Sequence, residues 1–257
     1  MVSQIPIQES LRPRRWGDMA QGLDHPTVRL LRGYEFEKMP NAILIYGPSG
    51  TGKTSAARLV ARSISCSGNS KSPLEDPCGE CSSCKAILTS LRWSDNNISE
   101  IDCTKGTPVD VIVRIKETVR YTPAFSTTKF RGRIILLDEV HRNEGKLGNR
   151  LLKFIEDNQD VIFILMTTEP GQLSEPLKQR CLNVRFEPPP EKSMTRWLEN
   201  AASVVGINLA AGVAQDIVRV VGRVPRLAIT VMAAANAVAQ DIVTLDDVEV
   251  AKCNTII

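Results

Sequence analysis

The chain has 257 residues, enough for one large domain or two smaller ones. Apolar residues make up 42% of it and charged residues 24%, which is typical of folded globular proteins and excludes the collagen-like and disordered classes. The net charge of +3 neither requires nor excludes a nucleic-acid partner. Because no segment has the length and apolarity of a membrane span or of a signal peptide, we expect a cytoplasmic location and no membrane partner.

Five short apolar segments have the composition of strands that are buried on both faces of a sheet. They are residues 42–46, 98–102, 133–138, 161–167 and 183–186. Segments with helical spacing of their apolar residues separate them, such as residues 109–121 and 148–157. The alternation of strands and helices predicts an α/β fold with a parallel sheet covered on both faces.

A glycine-rich loop, GPSGTGKT, follows the first predicted strand at residues 47–54, and a helical pattern follows the loop. Strand, loop and helix in this order are typical of a phosphate-binding site, in which backbone N–H groups at a helix N-terminus face phosphate oxygens. The cofactor-binding candidates are Gly47, Pro48, Ser49, Gly50, Thr51, Gly52, Lys53 and Thr54. The alternative is a surface turn, which the flanking strand and helix disfavour.

In such a site we expect Lys53 to reach the β- and γ-phosphates of ATP and the Thr54 hydroxyl to bind Mg²⁺. The third predicted strand ends in Asp138 and Glu139. Asp138 is placed to hold the metal, and Glu139 to orient and deprotonate the attacking water. The alternative is a pair of solvated acids at a strand end, but together with the loop they predict ATP hydrolysis.

The fourth predicted strand ends in the sequence MTTEP, residues 166–170. A hydroxyl here is suited to sense the γ-phosphate or to hold the water, so Thr168 is the candidate, with Thr167 behind it. Threonine is also common in strands without any such role, and this alternative stays open.

Four cysteines lie in or beside a loop-like insertion rich in glycine, serine and proline: Cys66, Cys78, Cys81 and Cys84. Thiolates at this spacing can surround one tetrahedral ion, so the set predicts a structural Zn²⁺ site. A disulfide is the alternative, which the absence of a secretion signal disfavours. The three remaining cysteines are interpreted as ordinary thiols.

The character of the sequence changes at Pro188–Pro190, because three prolines continue neither a strand nor a helix and predict a linker. Beyond them, four segments with helical periodicity have glycine or proline at their borders. We therefore predict an α/β domain of residues 1–187 followed by a small helical domain of residues 188–257.

In order and spacing, these motifs resemble the γ/τ-type ATPase subunits of the bacterial DNA polymerase III clamp loader, which belong to the AAA+ family. The resemblance covers most of the chain, and the segments that carry it are RPRRWGDM (12–19), GPSGTGKT (47–54), the four cysteines (66–84), SEIDC (99–103), RYTPA (120–124), DEVH (138–141), LLKFIED (151–157), MTTEP (166–170), KQRC (178–181) and GRVPR (222–226). Gln179 stands where the family usually has serine.

The resemblance implies an AAA+ P-loop NTPase with a five-stranded parallel sheet, an inserted zinc module and an all-helical lid. By this likeness ATP, Mg²⁺ and Zn²⁺ are the cofactors, and Leu11, Arg12 and Pro13 embrace the nucleotide. Arg180 reaches the ATP of a neighbouring subunit, where a guanidinium stabilises charge on the transferred phosphoryl group. Arg226 contacts the γ-phosphate within its own subunit.

The function implied by the resemblance is coupling of ATP binding and hydrolysis to the loading of a sliding clamp on primer-template DNA. The partners implied are the clamp, the DNA, and homologous or identical subunits in a pentamer. A helix beginning near Lys105 is implied to face the DNA, with Lys105, Thr107 and Arg114 as contacts, and the alternative, which the residues themselves favour, is a solvated helix face.

The resemblance also implies a third, helical collar domain, whereas the sequence ends near the end of the lid. A fragment and a short homologue both remain open as explanations. Two alternative functions also remain: another AAA+ DNA-processing ATPase, such as a branch-migration helicase or a helicase loader, and a non-catalytic scaffold gated by nucleotide.

Overall fold

The structure is a computed structural model that describes residues 6–35, 38–68, 75–89, 98–120 and 133–254. The chain forms two compact units. The sheet unit consists of Pro26–Gly47 and Lys53–Phe186, and the helical unit of Met1–His25, Pro48–Gly52 and Glu187–Ile257. Most of the RYTPA segment lies outside the described residues, and the predicted domain boundary after residue 187 stays a prediction.

Five strands and a series of helices make up the described chain. The strands are β1 (Ala42–Tyr46), β2 (Ile98–Asp102), β3 (Ile134–Asp138), β4 (Ile162–Thr167) and β5 (Leu182–Arg185). The helices are α1 (Ile7–Ser10), α2 (Pro26–Arg32), α3 (Lys53–Ser65), α4 (Ser82–Thr89), α5 (Pro108–Arg120), α6 (Glu144–Asp157), α7 (Glu175–Arg180), α8 (Glu191–Val205), α9 (Val213–Val220), α10 (Pro225–Val238) and α11 (Leu245–Asn254). All five predicted strands and the four predicted C-terminal helices are therefore present.

The strands form one parallel sheet in the order β2-β3-β4-β1-β5. The side chains of β4 are buried throughout, as are the first four of β1 and of β3. This burial explains why their sequences are continuously apolar instead of alternating. The expectation of a parallel sheet covered on both faces is confirmed.

Helix α3 is tied to the neighbouring sheet by a buried ion pair. The Arg58 guanidinium of α3 donates two hydrogen bonds, of 2.8 and 2.9 Å, to the Glu100 carboxylate of β2. The two side chains are only 12% and 18% exposed. A bidentate pair with this little water has a fixed geometry, so it orients the helix that begins at Lys53.

The helical unit has its own apolar core, to which α8, α9, α10 and α11 all contribute. Ile7 of α1 and Leu11 pack against this core. The indole N–H of Trp197 donates to the Asp18 carbonyl at 2.9 Å, which fixes the N-terminal segment to α8. Among the described residues, no helix combines the length and the apolarity needed to cross a membrane.

We expect Gly47→Ala to destabilise the sheet unit. Gly47 has φ +149°, and a Cβ at this position would lie 2.0 Å from the Phe186 carbonyl oxygen. Because backbone atoms must then move and the dihedral is unfavourable for alanine, we expect a loss of about 1–3 kcal/mol or more in the free energy of unfolding by urea.

Gly171→Ala is the matched control. A Cβ there meets nothing within 4 Å, and the change should stay within about 0.5 kcal/mol of the wild type. Equal unfolding free energies for the two variants would contradict the close approach at Gly47.

Candidate functional site

The sheet unit holds both ends of the glycine-rich loop. The Gly47 N–H donates to the Thr167 carbonyl of β4 at 3.3 Å, which fixes the start of the loop at the end of β1. Lys53 begins α3, is only 7% exposed, and donates its ammonium to the Gly47 carbonyl at 2.9 Å. The lysine predicted to reach the phosphates is therefore bonded to the first residue of the loop itself.

Thr54 and Asp138 lie together, as the sequence predicts for a metal site. The Thr54 hydroxyl donates to Asp138 Oδ2 at 3.2 Å. A hydroxyl and a carboxylate are the hard oxygen ligands that Mg²⁺ prefers, so these two residues fit that ion. Burial raises the pKa of Asp138, the Thr54 hydrogen bond opposes this, and the charges of Glu139 and Glu100 add to the rise.

Glu139 and Thr168 are also brought together. Glu139 follows β3 with φ +52°, an unusual conformation for a residue with a side chain, and its N–H donates to Asp138 Oδ1 at 3.0 Å. The Thr168 hydroxyl donates to Glu139 Oε2 at 3.2 Å. Thr167 is buried behind Thr168, and its hydroxyl contacts the His141 ring at 2.9 Å.

Two residues beside Glu139, His141 and Glu169, were not singled out as site residues from the sequence. The His141 ring is almost fully buried between the carboxylates of Glu139 and Glu169, each 3.3 Å from a ring nitrogen. The DEVH motif was the available signal, but its spacing does not show which way the histidine side chain turns.

The middle of the loop, Pro48–Gly52, belongs to the helical unit. The Arg226 N–H, at the start of α10, donates to the Gly50 carbonyl at 3.3 Å. The buried Gln21 side chain donates to the Thr51 carbonyl at 2.8 Å, a contact that the sequence analysis missed. The Pro48 carbonyl accepts a 2.9 Å hydrogen bond from the Thr51 hydroxyl, and Ser49 is exposed.

The other predicted nucleotide contacts of this unit are its N-terminal residues and Arg226. Leu11 packs against the helical core, the Arg12 guanidinium pairs with Glu9, and Pro13 follows Arg12 in the chain. The Arg226 side chain is exposed at the first turn of α10. Their predicted roles toward ATP stay predictions.

Arg180 is the last residue of α7 and lies on the surface of the sheet unit. Its guanidinium donates to Glu156 Oε1 at 2.8 Å, and the side chains are 52% and 43% exposed. The residue predicted to act on a neighbour is therefore accessible and paired with an acid of its own subunit.

The four predicted metal-ligating cysteines converge in space. The sulfurs of Cys66, Cys78, Cys81 and Cys84 all lie within 4.8 Å of one another. Backbone N–H groups of Cys78, Cys81 and Cys84 point at cysteine sulfurs at 3.3–3.4 Å. Burial opposes ionisation of Cys81, but hydrogen bonds led by the Cys84 N–H outweigh it and lower the pKa of this thiol to about 6. Four convergent sulfurs with N–H donors fit a tetrahedral ion that prefers thiolates.

The three residues suggested to contact DNA have separate local roles. Lys105 pairs with Asp102 at 3.3 Å, and Arg114 is exposed on α5. Thr107 caps α5, because its hydroxyl oxygen accepts the Asp110 N–H at 3.3 Å while its own N–H donates to Asp110 Oδ2 at 2.7 Å. The helix begins at Pro108, slightly later than the predicted start near Lys105.

We expect Asp138→Asn to raise the thermal stability of the nucleotide-free chain at pH 8. Since the folded-state pKa of Asp138 is raised, its ionised form disfavours folding at high pH, and the penalty disappears as the pH falls below the unfolded value. The gain in melting temperature should therefore shrink at pH 4.

Asp102→Asn is the matched control at the end of the adjacent strand. Burial alone raises the pKa of Asp102, but hydrogen bonds from Thr104 outweigh it and lower the pKa, so this variant should lose stability at pH 8. A lower melting temperature for Asp138→Asn than for the wild type would contradict the electrostatic account.

Solved structures of another protein share this fold. The Holliday junction branch migration motor RuvB of Thermotoga maritima superposes with a TM-score of 0.55 at 21% identity, covering 82% of this chain and 60% of that one. A mutant of the same protein gives a TM-score of 0.59 at 19% identity, covering 94% and 72%. At this level of identity the likeness shows a shared fold alone.

Sequence relatives are named as subunits of DNA polymerase III. The chain is 34% identical to DNA polymerase III subunit tau of Bacillus subtilis over 187 residues, which is 72% of this chain and 31% of that protein. It is 29% identical to DNA polymerase III subunit gamma/tau of Mycobacterium tuberculosis over 229 residues, or 89% and 38%. The tau subunit of Escherichia coli is 32% identical over 72% of this chain and 27% of its own length. The chain thus spans about a third of the length of these relatives.

A family model described as DNA polymerase III, delta subunit, matches residues 24–190. This segment contains the whole five-stranded sheet, both ends of the loop and the acidic residues beside it. Because the match covers more than half of the chain, the protein belongs to the family described as DNA polymerase III, delta subunit.

Proposed function

We propose that this chain is an ATP-hydrolysing module of a bacterial clamp loader. The observation that carries the proposal is the joint placement of the Thr54–Asp138 pair and the Glu139–Thr168 pair beside Lys53, within one unit. A metal-binding pair, a base and a phosphate-binding lysine are the parts that phosphoryl transfer to water requires. A scaffold that only binds nucleotide has no need of an intact base.

In this proposal each residue has one role in hydrolysis. Lys53 leaves the Gly47 carbonyl and bonds phosphate oxygens, while Thr54 and Asp138 hold Mg²⁺. When bound, the ion supplies positive charge that stabilises the phosphate oxygens in the transition state. Glu139 accepts the proton of the attacking water, and the Thr168 hydroxyl keeps its carboxylate in place.

The proposed process is the loading of a sliding clamp on primer-template DNA. It is supported by the relatives named tau and gamma/tau subunits of DNA polymerase III. The remaining partners are then homologous or identical subunits in a pentamer, and Arg180 completes the ATP site of a neighbour. Because these relatives come from bacteria, we place the activity in the bacterial cytoplasm.

Steady-state ATP hydrolysis tests this function. The purified chain is mixed with its cognate clamp, primed DNA and partner subunits, and Lys53→Ala and Arg180→Ala are compared with the wild type. We expect both variants to lose stimulated turnover by about a hundredfold or more, because each removes a charge that contacts the transferred phosphoryl group.

The matched controls are Lys192→Ala and Arg196→Ala, two exposed charges of α8, which should keep wild-type turnover. A mixture of Arg180→Ala chains and Lys53→Ala chains tests action in trans. Turnover should return in the mixture, because each variant supplies the side chain that the other lacks. A wild-type chain that binds ATP without hydrolysing it under these conditions would make a nucleotide-gated scaffold the better account.

We also propose that the four cysteines hold a structural Zn²⁺, because their sulfurs converge as a tetrahedral site requires. Native mass spectrometry should find one zinc ion per chain. Cys81→Ser should lose the ion and lower the melting temperature, whereas Cys253→Ser, at an exposed cysteine far along the chain, should keep both. A chain that folds identically without zinc and after Cys81→Ser would refute the site.

A further inference from the structure

The surroundings of His141 are unusual for a histidine in a short turn. The residue lies in the 3₁₀ turn Val140–Asn143 that follows β3, and its side chain is only 2% exposed. Burial of a ring with two polar nitrogens is unfavourable unless both have partners. The ring must therefore be held by the groups that surround it.

Three polar side chains face the ring. Nδ1 lies 2.9 Å from Thr167 Oγ1 and 3.3 Å from Glu139 Oε2, and Nε2 lies 3.3 Å from Glu169 Oε1. The Nε2 contact is within ion-pair distance but is not aligned as a hydrogen bond. The better-formed contacts of His141 are thus those of Nδ1.

The hydrogen bonds of Thr167 decide which atom carries the proton. The Thr167 oxygen already accepts the Glu169 N–H at 3.0 Å. If the hydroxyl donated to Nδ1, the nitrogen lone pair would also face the Glu139 carboxylate, which is repulsive. If Nδ1–H is the donor, it faces two acceptors, Thr167 Oγ1 and Glu139 Oε2, and both contacts are favourable. The Nε2 lone pair then faces Glu169, whose carboxylate is 52% exposed, against 31% for Glu139, so water screens this repulsion more effectively.

Glu139 is held through one of its two oxygens. Oε2 receives the Thr168 hydroxyl at 3.2 Å and faces His141 Nδ1, so Oε1 is left as the oxygen to accept a proton from water. The backbone of Glu139 is in the left-handed region at φ +52°, a conformation that surrounding contacts must maintain. His141 is one of these contacts and connects the base to the end of β4.

We propose that His141 is a positioning residue, whose Nδ1–H holds Glu139 Oε2 and Thr167 Oγ1 so that Glu139 Oε1 faces the attacking water. The inference rests on the proposed hydrolysis of ATP, in which Glu139 is the base. His141 itself does not touch the nucleotide. Its loss changes the orientation of the base but not the affinity for ATP.

Two amide substitutions separate the two ring nitrogens. His141→Asn places an N–H near the position of Nδ1, and His141→Gln places one near Nε2. We expect His141→Asn to keep most of kcat, and both His141→Gln and His141→Ala to lower it by about tenfold to a hundredfold. KM and the Kd for a fluorescent ATP analogue should stay within about twofold of the wild type, since only orientation is lost.

The predicted order of kcat, with His141→Asn above His141→Gln, distinguishes a positioning role from simple packing. Glutamine fills the ring volume better than asparagine, so a packing role predicts that His141→Gln keeps more activity and stability than His141→Asn. Equal activity of all variants, or a loss in His141→Asn as large as in His141→Ala, would also overturn the proposal. His25→Asn, at the only other histidine of the chain, is the matched control and should change neither kcat nor KM.

A second measurement does not depend on hydrolysis. In protein labelled with ¹⁵N-histidine, nitrogen spectra distinguish a protonated from an unprotonated ring nitrogen, and His25→Asn assigns the His141 signals. We expect Nδ1 of His141 to carry a proton at pH 7.5. An unprotonated Nδ1 would overturn the proposed contact even in an active enzyme. If instead the wild type binds ATP and never hydrolyses it, the proposed function fails, and the state of Nδ1 still decides the contact.

Discussion

Parallel pairing of β3, β4 and β1 is the constraint on which the candidate site depends. In the register of the sheet, Tyr46 lies opposite Thr167 and Leu137 opposite Leu165. Because the strands run in the same direction, the residues that follow them meet at one edge: Gly47, Glu139 and Thr168. A shift of one residue between two strands would turn these side chains to the opposite face. The apolar side chains that set the register therefore also set the geometry of the polar ones.

The same edge concentrates negative charge, because the carboxylates of β2, β3 and the segment after β4 meet there. Each has a partner in the fold: Arg58 for Glu100, Lys105 for Asp102, Thr54 for Asp138, His141 for Glu139, and Gln172 for Glu169. Asp138 is the least compensated, since a hydroxyl offsets burial and two neighbouring charges only in part. A divalent cation would offset the remaining cost of ionised Asp138. An uncompensated charge of this kind is expected where a residue serves ligand binding at a cost in stability.

The sequence predicted the sheet well because strands that are buried on both faces have continuously apolar sequences. Apolar runs located all five strands, and the acids and hydroxyls followed because each stands immediately after a run. The spacing of the four cysteines was equally informative, because it predicted that their sulfurs lie close together, and the structure places them within 4.8 Å of one another. The sequence TPVD at residues 107–110 also has the spacing of a helix capping box, which is the role that Thr107 has in the structure.

What could not be predicted depends on the direction of single side chains. His141 lies in a 3₁₀ turn, which is too short to have a periodicity, so nothing in the sequence tells whether the ring faces solvent or Glu139. Gln21 and Thr51 are thirty residues apart, and no local pattern connects them. Contacts of this kind follow from the complete fold, whereas motifs report on residues that are close in the chain.

The ion pair of Arg180 illustrates why a residue proposed to act in trans can be paired within its own subunit. The Arg180–Glu156 bond is about half exposed at both ends, and exposed pairs of this kind contribute only about 0–1 kcal/mol. Such a bond keeps the long side chain ordered at the surface, yet a phosphate group of a neighbouring subunit can displace it at little cost, because a guanidinium binds phosphate with two charge-assisted hydrogen bonds. A buried pair at this position would hold Arg180 too strongly, and no pair would leave more rotamer freedom to be lost on assembly.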